Sequence, residues 1–240
     1  MSSIAKLTKL ATRELKARPM VPFGAPIEIG LIGVIEDDRF IRRGTAESIL
    51  KAGVGSVAES KTDTSFQKTS GRDVKLKFLG KGAVSTLLPN APSSDARIEV
   101  SFASENSFLL SVRDYKVTTL RDPAPLIGKI LDAFRRGIWR KEYVLIYETI
   151  TPAEALILAS TCAGTNLLLS ARTPVTPAAV SAIAGSFKIE YQTHDVLGLD
   201  SGEQPLFYNC YRVKRKWFVG RPVIQAFAAQ DITGDFFERV

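Results

Sequence analysis

At 240 residues, 45% hydrophobic and 24% charged, the chain has ordinary globular composition, which excludes a wholly disordered or fibrous protein. Two cysteines, Cys162 and Cys210, exclude a disulfide framework and point to a reducing compartment, and a single histidine, His194, argues against a zinc site. The longest apolar run, counting glycine, is Ile29–Ile35, seven residues against the roughly 20 that a membrane helix needs, and the N-terminus lacks the apolar core of a secretory leader.

The formal charge of +7 is unevenly placed. Residues 1–21 hold Lys6, Lys9, Arg13, Lys16 and Arg18 against Glu14, a net of +4, and residues 121–141 also reach +4. Those two segments exceed the total, so the remainder is slightly acidic. A basic excess confined in this way points to a polyanion, either phospholipid headgroups or nucleic acid.

In chain order, residues 3–17 read as a helix. Ile4, Leu7, Leu10, Ala11 and Leu15 form one stripe, lysines and arginine the other, and Pro19 and Pro22 follow. Ile27–Ile35 reads as a strand, Glu36-Asp37-Asp38 as a turn, and Arg39–Arg42 as a short return strand. Thr45 caps a short helix to Leu50. Residues 53–71 are rich in Gly, Ser, Thr and Lys and read as a loop. Val74, Leu76 and Phe78, then Ile98, Val100 and Phe102, alternate with polar residues, the period-two signature of strands with one apolar face. Phe108–Val112 and Tyr115–Leu120 continue the strand character.

Pro123 and Pro125 open a second helix expected to run about four turns to Arg140, with Leu126, Ile127, Ile130, Leu131, Phe134 and Ile138 as its apolar stripe. Strands follow at Glu142–Ile150, Ala155–Ala159, Asn166–Ala171, Phe187–Tyr191 and Gln204–Val213. The expected fold is α+β: a twisted, mostly antiparallel sheet with a cationic N-terminal helix and a second basic helix.

Enzyme motifs fail on inspection. Gly55-Ser56-Val57-Ala58-Glu59-Ser60-Lys61-Thr62 has Ser60 in place of the second glycine of a phosphate-binding loop, and no buried strand precedes it. Gly80-Lys81-Gly82 lacks the third glycine of a dinucleotide turn. His194-Asp195 has no nucleophile elbow, Cys162 has no local histidine, and Asp37-Asp38 sits in a turn. No catalytic residue, metal site or cofactor is expected, and the protein is read as a non-enzyme.

The order of features carries more. It comprises the cationic helix, a strand pair, Ser70-Gly71-Arg72-Asp73-Val74-Lys75-Leu76, and Ile98-Glu99-Val100-Ser101-Phe102. The basic helix comes next, then Glu142-Tyr143-Val144-Leu145-Ile146-Tyr147, Phe187–Val196, and finally Pro205-Leu206-Phe207-Tyr208-Asn209-Cys210. In this order the chain resembles the pore-forming domain of the gasdermins, most of all the short bacterial members, over nearly its whole length. The resemblance implies a latent pore-former in antiphage defence, cytoplasmic until activated. A caspase-like protease would remove a short autoinhibitory C-terminal tail. The rest would then bind acidic phospholipid at the inner cell membrane and assemble with copies of itself into a transmembrane β-barrel that kills the cell. Barrel strands of about 9–11 residues with alternating polarity span a bilayer without any apolar helix. Many bacterial members carry a lipidated N-terminal cysteine; residues 1–21 contain none.

On this reading residues 1–221 are the pore-forming domain and residues 222–240 the tail. Lys6, Lys9, Arg13 and Lys16, with Lys129, Arg135 and Arg136, are the expected membrane contacts. Arg72–Leu79, Ala96–Ala103, residues 155–171 and Ser186–Val196 are the segments expected to become membrane hairpins. The tail holds Asp231, Asp235 and Glu238 against Arg239, a net of −2 on a body of +9, and carries Val223, Ile224, Phe227, Phe236 and Phe237. Such an acidic, apolar peptide can cover a basic surface, or it can be a closing strand of the core. The alternative function is a basic nucleic-acid-binding protein, with Trp139, Trp217 and Tyr211 as stacking groups. Full apolar stripes on both basic helices weigh against it, and no nucleic-acid partner is expected.

Overall fold

The computed structural model describes residues 3–21, 25–70, 73–79, 97–171, 187–192, 196–201, 204–215 and 222–227. Helix α1 spans Ser3–Leu15 and α2 spans Ala124–Arg135. The strands are β1 Arg18–Pro19, β2 Leu31–Glu36, β3 Arg39–Thr45, β4 Val57–Thr69, β5 Val74–Leu79, β6 Arg97–Phe102 and β7 Ser107–Leu120. They continue with β8 Tyr143–Ser160, β9 Thr165–Ala171, β10 Phe187–Gln192, β11 Val196–Ser201, β12 Phe207–Arg215 and β13 Pro222–Phe227. Nine strand pairings among the described residues have antiparallel registers, so the fold is the expected α+β around a mostly antiparallel sheet.

The chain divides into two units. One comprises Met1–Leu7, Thr62–Tyr115 and Pro152–Gln204. Its four-stranded sheet has the order β10-β9-β6-β5. Ile98, Val100 and Phe102 of β6 and Leu167 and Leu169 of β9 turn one face inward, where they meet Leu109 of β7 and Leu156 and Leu158 of β8. Period-two spacing predicts this face, and the burial of its aliphatic groups holds the layers together. The opposite face of β6 differs from the sequence reading. Arg97 and Glu99 are buried too, with the Glu99 side chain 5% exposed and its Oε2 3.5 Å from Lys77 Nζ. Alternation identifies the strand but does not say that its polar face meets water.

The other unit comprises Thr8–Lys61, Lys116–Thr151 and Pro205–Val240. Its strand order is β1-β12-β8-β2-β3, and β13 also pairs with β12. Side chains alternate between two cores. Leu145 and Ile32 join Leu126, Ile130 and Ala133 of α2 on one side, while Val144, Ile146 and Leu31 join Phe40, Tyr208 and Cys210 on the other. Glu148 ties three strands together: Thr119 Oγ1 donates to its Oε2 at 2.6 Å and Asn209 Nδ2 donates to its Oε1 at 2.7 Å. Gly30 is required where it stands. Its φ is +91°, and a Cβ there would lie 2.5 Å from Val54 Cγ2.

Several expectations are corrected. Residues 53–71 are not a loop throughout, since β4 runs 13 residues through them and pairs with β7. Its polar residues on both faces gave no apolar face to count. Phe108–Val112 and Tyr115–Leu120 are one strand, as are Glu142–Ile150 and Ala155–Ala159. The short helix after Thr45 is a π-helical turn, Ala46–Leu50, closed by a reciprocal Thr45–Ser48 cap. Helix α2 ends at Arg135 rather than Arg140, and β12 is followed by β13.

Candidate functional site

The expected membrane-contact residues fall on two helices. On α1, successive residues turn by about 100°. Leu7, Thr8, Ala11, Thr12 and Leu15 are buried, while Lys9, Arg13 and Lys16 are exposed on the other side and Lys6 is half-buried. Arg13 donates to Glu14 Oε1 from both Nε and Nη2, at 3.0 and 2.9 Å, so part of its charge is answered by its neighbour. Lys16, at φ +55°, carries the chain out of the helix. Arg18 does not belong to this face. Its side chain is 4% exposed and its Nη2 lies 2.6 Å from Asp38 Oδ1.

On α2, Leu126, Ile130 and Ala133 are buried and Lys129, Asp132, Arg135 and Arg136 are exposed. Arg135 Nη1 donates to Asp132 Oδ1 at 3.0 Å. Cations at a helix C-terminus are also favoured by its free carbonyls. The helix stops because Gly137 takes φ +73° and donates its N–H to Phe134 O at 3.1 Å. The N–H groups of Ile138 and Trp139 then both donate to Ala133 O, at 2.9 and 3.1 Å. Trp139 turns inward to 2% exposure and meets Tyr143 edge-on at 5.7 Å. Ile138 turns outward to 48% exposure, so it is not part of the helix's buried stripe.

The structure therefore adds Ile138, Arg140 and Lys141 to the basic end of α2; all three are exposed. The signal was present in the sequence. Arg-Arg-Gly at 135–137 is a helix stop, with cations in the last turn and glycine just beyond it. A second exposed arginine set lies on edge strand β3, at Arg39, Arg42 and Arg43. Of the expected tail residues, Val223, Ile224 and Phe227 lie on β13, which pairs with β12 from Arg215↔Pro222 to Cys210↔Phe227. Phe236 and Phe237 lie outside the described residues, as do Gly80–Asp95, His194 and Trp217.

Two of the three stacking groups of the nucleic-acid alternative are not displayed. Trp139 is buried, and Tyr211 stacks on Tyr147 at 4.1 Å, half-buried. Burial raises the hydroxyl pKa of both tyrosines, with Glu148 adding to it. Burial likewise pushes the Cys210 thiol up to about 12, against the lowering effect of Arg18 and Arg212, while Cys162 is exposed. Among the described residues no group of three or more His, Cys, Asp or Glu could hold a metal, and no helix is long and apolar enough to cross a membrane.

No protein-family model and no curated protein matches this sequence. Among solved structures, the chain is similar to the cryo-EM structure of the gasdermin A3 membrane pore, at TM-score 0.39 and 11% identity, covering 94% of each chain.

Proposed function

We propose that the protein is a latent pore-former. Once its C-terminal tail is cut, it would bind acidic membranes through the exposed cations of α1 and α2 and assemble with copies of itself into a β-barrel. The observation that carries the reading is the make-up of one sheet. The segments named from sequence as membrane hairpins supply all four of its strands: Arg72–Leu79 gives β5, Ala96–Ala103 gives β6, residues 155–171 give β9 and Ser186–Val196 gives β10. Each pairs antiparallel with the next, β5 with β6, β6 with β9 and β9 with β10. Adjacent antiparallel strands with an apolar face can exchange a protein core for lipid, and closure into a barrel then pairs every backbone group.

The tail reading draws on β13. It covers the edge of β12 from Cys210 to Arg215 and lies against α2. Cutting before it would uncover a strand edge and part of α2 together. An uncovered edge is a template for pairing with a second copy. Antiphage defence and a caspase-like activating protease rest on the family resemblance alone.

The test is dye release from phosphatidylserine-containing liposomes, with a protease site placed between Lys214 and Gln230. The intact chain is expected to leave the liposomes sealed and the cut chain to release dye. A cut protein that remains folded and inert on such membranes would overturn the reading, and one that unfolds would make β13 an indispensable strand of the core.

A further inference from the structure

We infer that Ile138 and the cations around it form an apolar-tipped anchor for an anionic lipid surface. The inference rests on the membrane reading above and deepens it, because it names the side chain that enters the lipid rather than those that meet its headgroups.

A single exposed aliphatic side chain is ordinary on a protein surface. This one is set apart by how it is held and what surrounds it. Gly137, at φ +73°, turns the chain, two consecutive N–H groups close on Ala133 O, and the Trp139 ring is sunk in the core beside Tyr143. Ile138 is one of two large hydrophobic residues exposed among the described residues, the other being Val57 on β4.

Cations flank it on both sides of the sequence. Arg135 and Arg136 precede it, Arg140 and Lys141 follow it, and Lys129 lies further back on the exposed side of α2. The acids nearby are Asp132, engaged by Arg135 at 3.0 Å, and Glu142, 3.7 Å from Lys141 Nζ. Lys129 and Arg140 have no acidic partner among the described residues. Over 129–142, five cations against two acids leave +3.

Guanidinium and ammonium groups bind phosphate and carboxylate oxygens, while a branched aliphatic tip gains by leaving water for acyl chains. A nucleic acid would use the cations but not Ile138, which has no π-face to stack. Trp139, which has one, is buried.

The test uses the whole chain nicked at the protease site above, with Cys162→Ser and Ile138→Cys, the new thiol carrying the environment-sensitive fluorophore NBD. Buried Cys210 stays unlabelled in the native protein. Phosphatidylcholine vesicles containing phosphatidylserine are expected to shift the emission to the blue, and pure phosphatidylcholine vesicles are not. In parallel, Ile138→Asp is expected to weaken binding to the anionic vesicles by about tenfold or more, and Ile138→Leu to bind as the parent does. If the parent chain binds anionic vesicles while the fluorophore does not shift and Ile138→Asp binds undiminished, the anchor is overturned and the membrane reading stands. If the nicked parent chain does not bind such vesicles, both fall. A fluorophore shift produced by duplex DNA and not by vesicles would also overturn the anchor and assign the surface to nucleic acid.

Discussion

Residues 1–21 and residues 121–141 each carry a net charge of +4, but they do not present it alike. In the first segment Arg18 is withdrawn into the protein and bound to Asp38, Arg13 is shared with Glu14, and Lys6 is half-buried. Lys9 and Lys16 remain as exposed lysines. In the second, Lys129, Arg135, Arg136 and Arg140 are exposed, and Lys141 joins them beside an exposed isoleucine. Formal charge along a chain is not surface charge. A cation that is buried and paired serves the fold, whereas one placed past a helix stop, where the chain turns on a glycine, is left to the surroundings.

The largest expected effect tests how the second segment is held. Trp139→Ala removes a fully buried ring and should cost about 3–5 kcal/mol, read as a lowered urea midpoint. An exposed Ile138→Ala should change stability by less than about 0.5 kcal/mol. Equal losses would mean that Ile138 is core after all.

Next comes the first segment. Arg18→Ala leaves Asp38 without its cation and should destabilise by about 3 kcal/mol, whereas Lys9→Ala should be nearly neutral. Stability that is indifferent to Arg18 would return that charge to the surface face. A smaller effect separates the two helices on membranes. Neutralising Lys129 and Arg140 to Gln should weaken binding to anionic vesicles by about 2 kcal/mol, at about 1 kcal/mol per charge, and neutralising Lys9 and Lys16 should do the same. A loss confined to the α2 pair would restrict the contact to that helix.

The smallest effect is a pH dependence set by three buried or half-buried tyrosines. Burial raises the pKa of Tyr147, Tyr208 and Tyr211 above the ordinary value of 10.0. The folded state therefore holds these protons more tightly than the unfolded chain. Their contribution is complete below about pH 10 and is lost as pH rises through the folded-state values, so the urea midpoint should be flat to about pH 9 and fall above it. A midpoint that rises across that range would contradict the burial of these hydroxyls.

How much of this was legible in the sequence depends on whether a segment has one apolar side. Strands β5, β6 and β10 and helix α1 do, and their periodicity placed them within a residue or two. Strand β4, Val-Ala-Glu-Ser-Lys-Thr-Asp-Thr-Ser-Phe-Gln-Lys-Thr, does not; it is a strand by virtue of pairing with β7. Strand β11, with Gly198 inside it, gave no pattern either, and it is defined by its register on β8. On α2, Phe134 and Ile138 have helical spacing, which extended the stripe past Arg135. The stop at Arg-Arg-Gly overrides that spacing because glycine enters the left-handed region freely and two backbone donors close on Ala133. The cations of the candidate surface could thus be named from the sequence. Its apolar tip could not, because that depended on which way one turn left the helix.

The most direct measurement is flotation of the chain nicked between Lys214 and Gln230 with phosphatidylcholine vesicles, with and without phosphatidylserine, at low and high salt. The expected result is co-flotation with the anionic vesicles alone, lost as salt rises and lost at low salt when Lys129, Arg136 and Arg140 are reversed to Glu in a protein that still folds. A chain that stays in the dense fraction with both kinds of vesicle at low salt, or that floats equally well with the three charges reversed, would contradict it.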